Sequence, residues 1–257
     1  MKQKALPRIV PWVLPCVILA AWQATSQFGL IPLRILPAPT QVLEAAVRLI
    51  QSGEIFRHIA VSSARAFAGL AVGGVIGFLL GLLNGLSQIS DRLLNSTFQM
   101  VRNIPHLALI PLCILWFGID EGSKIFLVAF GVFFPIYLNT YHGIRNVEPG
   151  LIEMGRVYGL SGISLFRDIL FPAALPSILV GVRYALGIMW LTLIVAETVS
   201  ASSGIGYMTM TAREFLQTDV IVLGILIYAA LGKLADFSTA LLERRWLAWH
   251  PAFQGPA

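Results

Sequence analysis

The chain has 257 residues, of which 57% are hydrophobic and 12% charged, against about 25% charged in an ordinary soluble domain. Its formal net charge is +5, but the lysines and arginines are scattered between apolar runs, which argues against a nucleic-acid-binding surface. A bilayer explains both numbers, and no shift in composition divides the chain, so one transmembrane domain over residues 1–257 is expected.

A helix rises about 1.5 Å per residue and the hydrocarbon core is about 30 Å thick, so a span needs roughly 20 apolar residues. Six segments qualify: residues 9–27, 60–83, 98–118, 123–141, 177–199 and 220–242. The expected architecture is therefore an all-α membrane protein of about six transmembrane helices. The first segment follows the basic start MKQKALPR and has the outline of a signal peptide. Pro11, Trp12, Pro15 and Trp22 within it, and the lack of a small-x-small cleavage site between Gln23 and Gln27, favour a retained span.

After the first span, LPAP (residues 36–39) leads to Thr40 as an N-cap for a short amphipathic helix that runs to about Gln51. The second span carries Gly69, Gly73, Gly77, Gly81 and Gly85, one every four residues. Small residues at that spacing let helix backbones approach closely in lipid. Four residues turn a helix by about 400°, so the stripe drifts about 40° per step. A single straight neighbour therefore does not meet all five. Packing against two or more helices of one bundle, or a seam between two copies of the chain, remain as readings. Pro105 and Pro111 in the third span and Pro135 in the fourth interrupt backbone hydrogen bonding, either as simple kinks or as bends lining a pathway.

Two long connections follow: the segment at residues 142–176, and a stretch rich in small and polar residues at 201–219. With the N-terminus inside, the inner segments carry Lys2, Lys4, Arg8, Arg92, Arg145, Arg156, Arg167, Arg244 and Arg245. The outer ones carry Arg34, Arg48, Arg57, Lys124 and Arg213. Nine against five places both termini in the cytoplasm.

Ionisable residues in or at the ends of spans are candidates for function, because a charge at the bilayer centre costs about 2.5–3.5 kcal/mol on insertion scales. Arg183 in span five either pairs, snorkels or meets a passing anion. Glu197, fourteen residues on, lies about 21 Å further along and opens the stretch AETVSASSGIG. There Gly204 and Gly206 are expected hinges of an outer gate, with an ordinary interfacial carboxylate as the alternative. Trp190, near the middle of the span, reads as core or pathway lining. Lys233 and Asp236, three apart on span six, are expected to pair. Cys16 and Cys113 sit in apolar runs and read as small core residues, with no metal site implied.

Nothing in the chain matches a phosphate-binding loop: the only Gly-Lys pair, Gly232-Lys233, is followed by Leu234. His58, His106, His142 and His250 are far apart, and no HExxH or GxSxG arrangement occurs, so no enzymatic chemistry is expected. The segment EMGRVYGLSGISLFRDILFPAALP, residues 153–176, is more specific. It forms on paper a helix over 149–158, a turn at 159–162 and a second helix ending near Pro172. It resembles the EAA loop of binding-protein-dependent importer permeases at Glu153, Gly159, Ile169 and Pro172, with Met154 and Gly155 in place of two alanines and Phe171 in place of leucine. Nearly the whole chain is similar to the sulphonate, taurine and nitrate permease group, through RILPAPTQVLEA, RNIPHLALIPLCILWFGID and MWLTLIVAETVSASSGIGYMTMTAREFLQTD.

That resemblance implies the type I ABC importer permease fold, with Glu153 and Gly159 as coupling positions that transmit ATPase closure to the spans. It also implies a bacterial inner-membrane location, and alternating access driven by two ATP-binding subunits. ATP and Mg would be bound by those partners and not by this chain. A second copy of the chain and an extracytoplasmic sulphonate-binding protein complete the complex. Taurine, nitrate or bicarbonate, and a thiamine-pyrimidine precursor are alternative substrates. With few donors within the spans beyond Arg183, Tyr184 and Thr192, selectivity is expected mainly in the binding protein.

Overall fold

The computed structural model describes residues 6–249, with side chains from residue 13 onward. Lys2, Lys4, His250, both termini and the side chains of Arg8, Pro11 and Trp12 lie outside the described residues. Every regular element among the described residues is helical. The Cα positions of the described residues group into two compact units, one running up to Val61 and including Ser202–Tyr228, the other formed by Ser62–Ala201 with the chain from Ala229 onward.

In the first unit, α1 (Leu6–Gln27) is joined to α2 (Pro39–Gln51) by side chains that reach back to the connecting backbone. The Trp22 indole donates to the Pro37 carbonyl at 2.9 Å and the Ser26 hydroxyl to that of Leu36 at 3.4 Å. The expected N-cap, Thr40, is already inside α2. The helix starts at Pro39, whose missing N–H is harmless in a first turn, and the Gln23 side chain accepts the Thr40 N–H at 3.3 Å. Val42, Ala45 and Leu49 form the buried face of this amphipathic helix. Cys16, expected in a core, is exposed on α1. The neighbouring residues 13–20 are exposed and apolar as well, as on a helix that faces lipid.

The second unit is organised around one helix. α3 (Glu54–Leu86) leads through α4 (Gln88–Arg102) and a 3-10 turn (His106–Leu109) to α5 (Ile110–Phe117) and then α6 (Glu121–Arg145). All five glycines of the α3 stripe meet α6. A Cβ at Gly69 would strike Val128; at Gly73, the Ala129 carbonyl; at Gly77, the Phe133 carbonyl; at Gly81, Tyr137 and Thr140; at Gly85, Ile144. Both sets of numbers rise together, so the two helices run parallel. The expectation that one neighbour cannot meet the whole stripe fails, because a helix inclined along the four-residue row follows its drift. The other side of α6 packs antiparallel against α9 (Phe171–Ser200): Gly143 abuts Ala174 and Ser177, and Gly181 abuts the Pro135 carbonyl and Asn139. The Ser177 hydroxyl donates to the Asn139 carbonyl at 2.8 Å.

Two expectations about spans change. The third is not one helix: α4 and the 106–117 segment meet at a bend of 82°. Pro105 lies in the break, where it disfavours helix for the residue before it, and Pro111 sits harmlessly in the first turn of α5, so of these three prolines Pro135 alone lies inside a helix. α7 (Pro149–Val157) and α8 (Gly162–Leu165) occupy the expected elbow, but the second helix does not stop at Pro172. A π-helical turn at Phe166–Leu170 joins α8 to α9, and the helix runs from Gly162 through Pro172 and Pro176 to Ser200. Wider i→i+5 bonding of this kind is one way a helix absorbs local disruption. By length and composition, four described helices are able to cross a membrane, or five with the bent pair as one span: Glu54–Leu86, Glu121–Arg145, Gly162–Ser200, Thr218–Trp246 and the pair. The remaining elements, α10 (Ile205–Glu214) and α11 (Thr218–Trp246), complete the chain.

Candidate functional site

Three features of the second unit and one of the first have the chemistry for a transport role. The first is a buried ionic network. Arg65 on α3 has only 3% of its side chain exposed and donates to Glu197 on α9 at 2.7 Å and, through its Nε, to Glu121 at the start of α6. The Ser62 hydroxyl lies 2.8 Å from both Glu197 carboxylate oxygens. Lys124, one turn into α6, is also buried and donates to the Ile119 and Asp120 carbonyls at 3.0 and 3.1 Å. Three helices are thus tied together by one guanidinium shared between two carboxylates, a geometry suited to the planar fork of arginine. Glu197 is fully enclosed and not the interfacial carboxylate considered as its alternative role. Sequence reasoning missed Arg65, Glu121 and Ser62, although an arginine inside an expected apolar span was the available signal.

Halfway along α6 lies a cleft of about 350 Å³. One wall is the break in the third span, with Arg102 as the last residue of α4 and His106 as the first of the 3-10 turn; the others are Phe130, Phe134 and Asn139 of α6 and Tyr184 and Ile188 of α9. His106 Nε2 lies 3.0 Å from the Thr192 hydroxyl, and Gly131 makes room for both: a Cβ there would stand 3.1 Å from the Thr192 oxygen. Pro135 withholds the N–H that would otherwise bond the Gly131 carbonyl, and the Asn139 amide caps the Pro135 carbonyl at 2.8 Å. Arg183, expected as a partner for a passing anion, instead pairs with Glu243 of α11, a carboxylate that is itself 5% exposed. Among the described residues no ion pair joins Lys233 to Asp236; both border a shallow depression beside Arg183. Trp190 is buried, at 6% exposure.

The third feature is the elbow. Gly159 has φ +80° and Gly162 φ +52°, backbone conformations that only glycine adopts readily. The Gly159 N–H bonds to the Arg156 carbonyl and the Leu160 N–H to the Gly155 carbonyl, both at 2.9 Å, closing the end of α7. Ile169 packs on Gly155, where a Cβ would come within 3.2 Å of it, so α7 lies tightly along the π turn. Pro172 opens α9. Glu153 is exposed on α7, and around it Met154, Val157, Tyr158 and Ile163 present apolar surface, Val157 and Ile163 at 86% and 85% exposure.

In the first unit, Gly204 has φ +110° and precedes α10, and its N–H donates to His58 Nδ1 at 3.1 Å. Gly206 lies within the first turn of α10 and not in a loop. Arg48 of α2 pairs with Asp219 of α11 at 3.1 Å.

Apolar helices long enough to cross a bilayer, a further bent pair broken beside a polar-edged cleft, and an exposed rigid elbow define a membrane transport component. The family model described as the binding-protein-dependent transport system inner membrane component matches residues 73–248, and the chain belongs to that family of non-catalytic permease subunits. It is 61% identical, over 98% of its length and 95% of the relative's, to a protein of Escherichia coli (strain K12) named as the aliphatic sulfonates transport permease SsuC. The Bacillus subtilis (strain 168) protein of the same name is 45% identical over 95% of this chain and 88% of that one. The taurine transport system permease TauC of Escherichia coli is 33% identical over 93% and 88%. Among solved structures, an amino acid ABC transporter superposes with a TM-score of 0.64 at 16% identity, covering 78% of this chain and 97% of that one. The inward-facing MetNI methionine transporter gives 0.54 at 19%, covering 74% and 94%. At such identities these structures bear on the fold alone.

Proposed function

We propose that this chain is the permease subunit of an ATP-driven importer that carries aliphatic sulphonates across the bacterial inner membrane. The observation that carries the substrate is the identity of 61% with the Escherichia coli protein named for aliphatic sulfonates, against 33% with the one named for taurine. Two ATP-binding subunits, with ATP and Mg, dock on the α7–α8 elbow from the cytoplasm. An extracytoplasmic binding protein delivers the solute, and a second copy of the chain completes the pathway. Both termini are cytoplasmic in this reading, as the distribution of lysine and arginine favours.

The coupling surface is supported by physical argument. Met154, Val157, Tyr158 and Ile163 expose apolar area next to the charged Glu153 on an element braced by Gly155 against Ile169. Apolar area on a rigid polar-rimmed element is what a docking partner buries. Because helix runs unbroken from Gly162 to Ser200, a push on the elbow is delivered along α9 to Glu197 and its network. ATP binding then shifts an equilibrium between inward- and outward-open states by its differential contacts with the two.

The test is growth of a strain lacking this permease on ethanesulphonate, taurine or sulphate as sole sulphur source, with and without the chain restored. Restored growth on ethanesulphonate, with sulphate growth unaffected throughout, is the expected result. Restoration on taurine alone would transfer the assignment to that amino-sulphonate, and no restoration on any sulphonate would overturn it.

A further inference from the structure

We infer that the cleft beside the broken span is a transit site on the permease itself for the sulphonate group, with the alkyl tail against its apolar wall. The inference rests on the importer reading above and deepens it: selectivity, expected mainly in the binding protein, is read a second time inside the membrane.

Four observations converge. Irregular backbone at membrane depth is tolerated where it lines a cavity or is buried in protein, and broken helices mark binding sites in several transporter folds. Here the break between α4 and the 106–117 segment places Arg102 and His106 on the cleft. A cation in the last turn of a helix is ordinarily explained by the helix dipole; what that leaves unexplained is its position over a cavity. No ion pair or side-chain hydrogen bond engages Arg102 among the described residues, whereas Arg65, Arg145 and Arg183 each hold a carboxylate. Tyr184, with 63% of the residue exposed, lines the same space and brings a phenol to it. Phe130, Phe134 and Ile188 form the rest of the wall.

The chemistry fits one class of ligand. Guanidinium offers paired N–H groups to two oxygens of an oxyanion, a phenol adds a third donor, and no acidic side chain lines the cleft to repel the anion. An inorganic anion such as nitrate or sulphate would leave the apolar wall unused, whereas an alkanesulphonate covers it. A site open to solvent on one side and held by few donors is weak, as transit requires: binding must permit release.

The test uses the permease assembled with its ATPase subunits in lipid nanodiscs, without the binding protein, titrated with ethanesulphonate and observed by saturation-transfer NMR. The wild type gives a saturable ethyl signal that nitrate displaces poorly. Arg102→Ala weakens it by about tenfold or more, the usual loss for a hydrogen-bonded charge, and Arg102→Lys recovers part. Ile188→Trp, which fills the apolar wall and leaves the arginine in place, abolishes the signal in a complex that still co-elutes with its ATPase. A wild type with no saturable signal, or equal binding by all variants, overturns the site. ATP-dependent ethanesulphonate uptake by wild-type proteoliposomes supplied with the binding protein separates the two readings. Uptake unaffected by Arg102→Ala or Ile188→Trp removes the cleft and leaves the importer; absence of uptake in the wild type removes the sulphonate reading itself.

Discussion

Two arginines within expected membrane spans sit in opposite circumstances. Arg65 is enclosed by three helices, with its guanidinium divided between Glu121 and Glu197 and the second carboxylate further held by Ser62. Arg102 ends α4 at a break, exposed on a cleft. Both are charges within apolar runs, but among the described residues only the first holds a carboxylate. The difference teaches how the bundle divides its labour: the ends of α3, α6 and α9 that meet at Arg65 are locked by a satisfied network, while the cleft beside the middle of α6 keeps a donor available.

Replacing each arginine by alanine breaks that comparison most sharply. Arg65→Ala leaves Glu197 buried with Ser62 as its remaining named partner, and removing one member of a buried pair typically destabilises by about 3–5 kcal/mol. We expect the purified variant to unfold well below wild type in a thermal scan in detergent, with little transport. Arg102→Ala, by contrast, should unfold within a few degrees of wild type, because it uncovers no opposing charge. Equal losses in the two would mean that Arg102 is as structural as Arg65.

A second, smaller effect concerns the ligament on which both sites depend. At Gly73 a Cβ would run into the Ala129 carbonyl, and backbone, unlike a side-chain tip, does not swing away. Gly73→Ala should therefore separate α3 from α6 and cost about 1–3 kcal/mol, as overpacking does. Gly187→Ala is the control, since its Cβ would meet nothing within 4 Å. If both substitutions lower the unfolding temperature alike, helix approach is not what the stripe provides.

Much of this was legible in the sequence. Apolar run lengths located the helices, because bilayer thickness leaves little freedom in the length of a span, and the spacing from Glu153 to Pro172 located the elbow. What escaped was set by tertiary geometry. The glycine stripe announced close packing but not its partner, since the inclination of α6 is a property of two helices and not of one. Pro172 reads as a stop, yet the π turn at Phe166–Leu170 joins α8 to α9 and the helix continues through it. The partner of Arg183 lies sixty residues away on α11, out of reach of any i,i+3 or i,i+4 rule, and the nearer pair Lys233 and Asp236 drew attention instead. Arg65 and Arg102 were visible as charges inside apolar runs, and weighing them as Arg183 and Glu197 were weighed would have found both sites.

The smallest stability effect belongs to the elbow, where function and stability part company. Ile163 is 85% exposed and lies just beyond Gly162, so Ile163→Asp removes almost no folded-state contact and should change the unfolding temperature by no more than the usual surface substitution, within about 0.5 kcal/mol. If the elbow is the ATPase-docking surface, the same change buries an unpaired carboxylate at the interface, and the partner subunits should no longer co-purify or should hydrolyse ATP without transport. A drop in unfolding temperature with coupling intact would instead mean that the exposed apolar residues serve the fold. The two measurements separate a surface built to be covered by a partner from one that is merely apolar. Arg65 and Ile163 then stand at opposite ends of one scale, the first essential to the folded bundle and the second to what the bundle drives.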